Sequence, residues 1–374
     1  MNKHKLIVLD GISGVPLGLE LKEAISSLGV NTTYVDMRKL PSRSLYTLLS
    51  IFTKATNRWD SKDSFYHYPK LDETKFEEFL KEERPTIVLV IGFIYKYLSM
   101  ELMKNLKEKY GFKLFLYDTD SCNLYSKRRE FIFFINNELV IYDHIFSFSK
   151  VTTRFFTETK RLQATFLPFG ASKILMPQVK AQTTDVLFVG SCDLRRIFLL
   201  EQVKGEVAIY GDRWKRNYPL ISDKLKANVT DVSIWGEELH QQLANAKIVL
   251  NITRTQFYGV ETGVNLRIFE ALAAGCFLLT DYCDEVAELF EIGEELEVFR
   301  CAKELAEKVD YYLQNPDKRY EITRKGYEAF LKKHTWENRA KQLLQKMTLD
   351  NCEQNGHEAA TVASDSNART TQQV

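Results

Sequence analysis

Short runs of consecutive apolar residues, each ending in Gly, Asp, Asn or Ser, constrain this chain more than any other feature. The first half carries KLIVLDG (5–11), TIVLVIGF (86–93), FKLFLYDTDS (112–121), YDHIFSFS (142–149) and ATFLPFG (164–170). The second half carries DVLFVGS (185–191), EVAIYGD (206–212), KIVLNIT (247–253) and CFLLTD (276–281). A strand with one wet face alternates apolar and polar residues. Continuous apolar runs belong to strands covered on both faces, as in a parallel sheet with helices packed on each side. Helical stretches separate the runs. One has Leu19, Ala24, Ile25 and Leu28 on its apolar stripe and closes at Gly29; others lie over 97–110, 236–246 and 266–274. Helices dominate again from 302 to about 347. The rhythm lapses once, in the polar stretch 173–184, and then restarts.

The expected organisation is therefore α/β, with two doubly wound Rossmann-like domains in succession. Residues 1–172 form the first, 173–184 a linker and 185–330 the second. Residues 331–348 form a C-terminal helix able to cross back to the first domain. Residues 350–374 are polar, lack a hydrophobic period and are expected to be disordered. In such sheets ligands bind at the carboxyl ends of the strands, and two sheets facing a central cleft suit two substrates.

Lys plus Arg is 51 and Asp plus Glu is 50, which excludes a strongly basic nucleic-acid binder. The charge is uneven, with residues 1–180 carrying 27 basic and 20 acidic side chains. An acidic partner or a membrane surface would suit that half. The six cysteines show no C-x-x-C spacing, so neither zinc nor a disulfide framework is expected. No apolar stretch approaches a membrane span or a signal peptide, so a cytoplasmic protein is expected, able to sit at the inner membrane face.

The stretch GVETGVNLRIFEALAAGCFLLTD (259–281) keeps Arg267 and Glu270 among small and apolar residues. Gly263 allows a tight turn, and Val264, Asn265 and Leu266 open a helix whose free N–H groups can hold an anion. Arg267 can grip a diphosphate, and Glu270 can accept from a ribose diol. The competing reading is an ordinary i,i+3 pair worth a few tenths of a kcal/mol.

With its surroundings the stretch resembles the glycosyltransferases of GT-B architecture, most closely the CgeB-like group. The residues that carry the likeness are Asn251 at a strand end, Gly263, Arg267 with Glu270, Ala274-Gly275, the strand Phe277 to Asp281, and His334-Thr335. The likeness covers about 185–345, and DTDS, YDHIFSFS and LPFG are similar to the same group. It implies two Rossmann-like domains around a cleft, with C-terminal helices packing back toward the first domain. It implies transfer of a sugar from a nucleoside-diphosphate sugar, bound on the second domain, to a hydroxyl acceptor on the first. That acceptor would be a glycan, a lipid-linked molecule or a protein. No metal and no further cofactor are implied. Glu270 would hold the ribose, and Arg267 with the backbone of Gly263, Val264, Asn265 and Leu266 the diphosphate. Gly190 and Ser191 would approach the phosphates, with Arg195 or Arg196 as charge partner. Tyr210, Gly211, Trp214, Val232 and Ser233 would flank the base. Two related readings share this site: an epimerase or hydrolase of sugar nucleotides, and a non-catalytic nucleotide-sugar-binding protein. Many retaining enzymes of this architecture carry a Glu eight positions before the ribose-binding one. Here Thr262 stands there, with Glu261 one residue off, which leaves the stereochemistry open.

On the first domain, Asp118 and Asp120 end a strand and can supply the base, or can merely shape a turn. Gly11, Ser13 and Gly14 form the other loop expected at the acceptor side. The segment 37–59 is basic and aromatic around an apolar core. It reads as a lid, as a surface for an anionic or lipid-linked acceptor with peripheral membrane contact, or as an ordinary packed surface helix.

Overall fold

The computed structural model describes residues 5–12, 14–59, 65–121, 127–174 and 182–347. Two six-stranded sheets, both entirely parallel, organise them. The first holds β1 (Lys5–Asp10), β2 (Asn31–Asp36), β3 (Ile87–Ile91), β4 (Lys113–Asp118), β5 (His144–Ser147) and β6 (Ala164–Phe166), in the order β2-β1-β3-β4-β5-β6. The second holds β7 (Thr184–Val189), β8 (Val207–Tyr210), β9 (Val229–Thr230), β10 (Ala246–Asn251), β11 (Leu278–Asp281) and β12 (Glu297–Phe299), in the order β12-β11-β10-β7-β8-β9. The short strands β9 and β12 carry no long apolar run, and the sequence pattern does not mark them. The central strands are sealed on both faces: Leu6 to Leu9, Val88 to Ile91 and Ile248 to Leu250 have no exposed surface. That burial is what their unbroken apolar runs require.

The helix Leu17–Ser27 buries Leu17, Leu21, Ala24 and Ile25, whereas Leu19 lies on its outer side. The apolar stripe is therefore shifted from the expected one. Leu17 is a full member because the helix starts there, directly after Pro16. The 97–110 helix begins later, at Met100, where the Ser99 hydroxyl accepts from Leu102 N.

A helix over 336–347 packs back on the first domain. Thr335 bridges Ala171, Trp336 Nε1 donates to Glu20 Oε2 at 2.6 Å, and Arg339 Nε donates to the Phe169 carbonyl at 2.9 Å. His334 sits between the rings of Phe269 and Phe290, with Nδ1 2.9 Å from Arg339 Nη2. One continuous apolar cluster runs through both sheets, from Leu6 and Phe115 to Val249, Phe269 and Trp336. The expected linker lies mostly outside the described residues, and the expected disordered tail entirely so.

Glu138 makes one pH-dependent contribution to this fold. It is fully buried and accepts from Ile94 N at 2.9 Å, Tyr95 N at 2.8 Å and Tyr142 OH at 2.8 Å. Burial outweighs these bonds and pushes its carboxyl up to about 7. A carboxyl raised on folding favours the native state most while protonated. Its contribution is complete below about pH 4.5 and is lost as the pH rises to about 7. Thermal unfolding should therefore show stability falling across that window, by an amount on the order of 3 kcal/mol from this group. Glu138→Gln should flatten the fall.

Candidate functional site between the two sheets

The second sheet starts at β7, runs out through β8 to β9, and returns to place β10 on the other side of β7. The carboxyl ends of β7 and β10 therefore flank a switch point, where the loops diverge and leave a crevice. Two glycines cross there. Gly190 N donates to the Tyr210 carbonyl at 2.8 Å, and Gly211 sits at φ +148, where an added Cβ would stand 2.0 Å from the Gly190 oxygen. No side chain fits at Gly211, so the loops after β7 and β8 stay in contact.

Arg267 and Glu270 enter this crevice from the helix Leu266–Ala273, whose N-cap is Asn265, its side chain accepting from Arg267 N at 3.1 Å. The helix is buried from Arg267 to Ala273, charges included. Arg267 Nη1 approaches Glu270 Oε2 to 2.8 Å, but off the hydrogen-bond axis. Arg267 Nε and Nη1 and Glu270 Oε2 therefore have no hydrogen-bond partner among the described residues. The guanidinium lies 5.6 Å from the Trp235 ring centre. Burial pushes the Glu270 carboxyl up to about 7, with Arg267 pulling it back. A buried ion pair with unspent hydrogen-bonding capacity is costly to keep unless a ligand completes it.

Two more buried atoms share that condition, Thr119 Oγ1 and Thr253 Oγ1. All four residues line one cavity of ≈ 210 Å³. Its first-domain wall is apolar, with Ile12, Leu17, Phe148 and Phe169, interrupted by Thr119 and Asp120. Its second-domain wall includes Gly190, Arg196, Trp235 and Asn251. Thr253 also opens onto a larger cavity of ≈ 820 Å³, bounded by Lys150, Arg154, Glu261, Gly263, Cys283 and Glu288 among others. The polar atoms that lack partners are thus concentrated where the two domains meet.

Glu285 ties the domains beside that cavity. Its Oε1 accepts from Ser149 Oγ at 2.8 Å, Lys150 N at 2.6 Å and Val151 N at 3.3 Å, all on the first domain. Its Oε2 accepts from Thr262 Oγ1 at 2.6 Å. Thr262 is thereby occupied in holding Glu285, while Glu261 is exposed at φ +57 on the larger cavity's rim.

Of the residues named from sequence, the structure gathers Asp120, Gly190, Asn265, Leu266, Arg267 and Glu270 on the smaller cavity and Gly263 on the larger. Val264 lies buried beneath them. Tyr210 is half-buried against the core, and the Ser191 carbonyl accepts from Arg196 Nη1 at 2.7 Å. Gly11 is buried, an added Cβ falling 2.2 Å from the Phe93 oxygen, and Gly14 is exposed. Ser13 lies outside the described residues.

Several assignments change. Asp118 does not face the cleft. It is fully buried, Oδ1 accepting from Ser121 N at 3.0 Å and Oδ2 from Ser121 Oγ at 2.7 Å and Ser147 Oγ at 3.0 Å. It shapes the turn after β4 and has no opening to an acceptor. Arg195 is not available to phosphate. It forms a two-armed ion pair with Asp281, donates to the Thr253 carbonyl at 3.0 Å and stacks on Tyr258 at 3.7 Å. Arg196, buried, reaches the cavity instead. Trp214 does not flank a ligand. It is a core residue with no exposed surface, its Nε1 donating to the Gly190 carbonyl at 3.0 Å. Val232 and Ser233 are exposed and line neither cavity; Trp235 does the reaching from that loop. Trp235, Thr119, Thr253 and Glu285 escape the sequence reading. Only Trp235 leaves a trace, as an aromatic directly before the helix Gly236–Asn245.

Residues 195–345 match the glycosyl transferase-like family model. No curated protein matches the sequence significantly. In fold the chain is similar to sucrose-phosphate synthase of Thermosynechococcus elongatus, with TM-score 0.63 and 14% identity over 92% of this chain and 98% of that one. It is also similar to HepE of Anabaena in complex with UDP-glucose, with TM-score 0.61 and 12% identity over 92% and 99%. An alpha-glucosyltransferase in complex with UDP and DNA gives TM-score 0.60 and 11% identity over 92% and 100%. With two facing parallel sheets the chain has the GT-B fold of these structures, and its second domain matches the glycosyl transferase-like family.

Proposed function

We propose that the protein transfers a sugar from a nucleoside-diphosphate sugar to a hydroxyl acceptor, without a resident metal. The observation that carries this reading is the set of partnerless buried polar atoms of Arg267, Glu270, Thr119 and Thr253 around one interdomain cavity. Structures of HepE hold UDP and UDP-glucose, which supports a donor of that class here. Glu270 accepts from the ribose hydroxyls, the Trp235 ring borders the nucleoside, and Arg267 with the N-terminus of its helix holds the diphosphate. Arg196 adds positive potential; burial lowers its pKa only to about 10, so it stays charged at neutral pH. In the transfer step the acceptor oxygen bonds to the anomeric carbon, and the bond from that carbon to the phosphate oxygen breaks. The nucleoside diphosphate leaves with its charge held by Arg267. The acceptor proton passes to Asp120, the first-domain carboxylate on the cavity wall.

Incubation with a panel of sugar nucleotides, reading released nucleoside diphosphate with and without added hydroxyl acceptors, tests the proposal. Acceptor-stimulated release supports transfer. Release that no acceptor stimulates favours hydrolysis, and sugar isomerisation favours an epimerase. Binding without any reaction favours a non-catalytic protein. Asp120→Asn should lower transfer by about a hundred-fold while leaving donor affinity unchanged. Asp118→Asn should lower the melting temperature and leave the pH profile of transfer in place, since it serves the turn and not the proton.

A further inference from the structure

We propose that the helix Tyr46–Trp59 is a docking surface for an anionic lipid bilayer. The helix is mounted the wrong way round for a globular protein, with its polar line turned inward and its apolar line outward. Tyr46 stacks on Tyr68 with ring centres 6.3 Å apart, and Ser50 is buried. Asn57 exchanges hydrogen bonds with both backbone groups of Tyr66, and its own carbonyl accepts from Arg129 Nη2 at 2.6 Å. These anchors recur at positions 46, 50 and 57, which fall on one side of a 3.6-residue helix. The other side presents Leu48, Leu49 and Phe52, spaced i, i+1 and i+4, with Ile51 beside them and Leu45 immediately before the first turn. Leu45, Leu48, Ile51 and Phe52 are 68%, 65%, 60% and 73% exposed. Single exposed apolar residues need no explanation, but a contiguous stripe on one helix face marks an interaction site.

Charge selects the occupant. Residues 37–59 contain Arg38, Lys39, Arg43, Lys54 and Arg58 and no acidic residue. Asp36 and Glu73, from outside the segment, engage Arg38 and Arg43, while Lys39 and Lys54 are exposed. A second copy of the chain would bring two such basic stripes together. An anionic bilayer accepts the apolar side chains and the flanking cations at once. The segment also leaves the first sheet at the carboxyl end of β2, the edge on which the cleft opens.

Co-flotation of the full chain with vesicles of pure phosphatidylcholine, and of equimolar phosphatidylcholine and phosphatidylglycerol, tests this. Binding is expected to the anionic vesicles only and to weaken at high salt. The Leu48→Ser/Phe52→Ser variant should bind those vesicles about ten-fold or more weakly, and Lys39→Glu/Lys54→Glu should do the same without touching the apolar stripe. Circular dichroism and sugar-nucleotide binding verify that each variant is folded. Absence of vesicle binding overturns the proposal. So does equal binding to both vesicle types, or a self-association without lipid binding that the Leu48→Ser/Phe52→Ser change abolishes.

Discussion

Glu270→Gln is expected to weaken nucleoside-diphosphate binding by about a hundred-fold with little change in melting temperature. Glutamine keeps the shape of the side chain but not its charge. It loses charge-assisted bonds to the ribose diol, worth roughly 1.5–3 kcal/mol each. Alanine would be a poorer test. It leaves a cavity and no polar group beside the buried Arg267, at a cost on the order of 1–3 kcal/mol, and confuses binding with folding. Arg267→Ala should likewise abolish diphosphate binding, but with a measurable loss of stability. The pH dependence follows from the same carboxyl. Burial pushes the Glu270 carboxyl up to about 7. Donor binding to the charged form should therefore weaken as the pH falls below about 7, approaching ten-fold per pH unit, and the glutamine variant should lack that dependence. Titration calorimetry at several pH values reads both effects. Affinity within two-fold of wild type for Glu270→Gln would remove the ribose assignment.

Glu285→Ala is expected to loosen the two domains from one another. It leaves the Ser149 and Thr262 hydroxyls and the backbone N–H of Lys150 without their acceptor, while Val151 N keeps Ser149 Oγ at 3.1 Å. Stranding buried donors that served a carboxylate costs on the order of 3–5 kcal/mol. Differential scanning calorimetry should show a lower and broader transition, and small-angle scattering a larger radius of gyration. Glu285→Gln should restore most of the loss. Its amide oxygen still accepts from the first domain, and the Thr262 hydroxyl can turn to accept from its NH₂. A wild-type transition in the alanine variant would show that the Phe148–Phe257 contact and the 336–347 helix hold the cleft without it.

Thr262 illustrates why the site was only partly legible. Its position matches the first carboxylate of a familiar spacing, but spacing cannot reveal that Glu285, twenty-three residues on, reaches back to it. Asp118 and Asp120 likewise read alike at the end of β4. Only the approach of Ser147 from β5 and the turn at Ser121 show that one is sealed and the other borders the cleft. Trp214 was the expected aromatic wall, but packing against Phe188 places it in the core, and Trp235 borders the cavity in its place. Arg267 and Glu270 stand out only with their surroundings and the resemblance these carry, since their spacing alone equally fits an ordinary i,i+3 pair.

The sequence by itself determined the two parallel sheets and the edge along which their strand-end loops lie. Strand burial on both faces writes an unbroken apolar run wherever it occurs, so local pattern suffices. The tertiary structure decided which carboxylate is open, which arginine faces the cavity, and which way the helix Tyr46–Trp59 turns its apolar side. Those outcomes depend on contacts between elements far apart in the chain, and no local period encodes them.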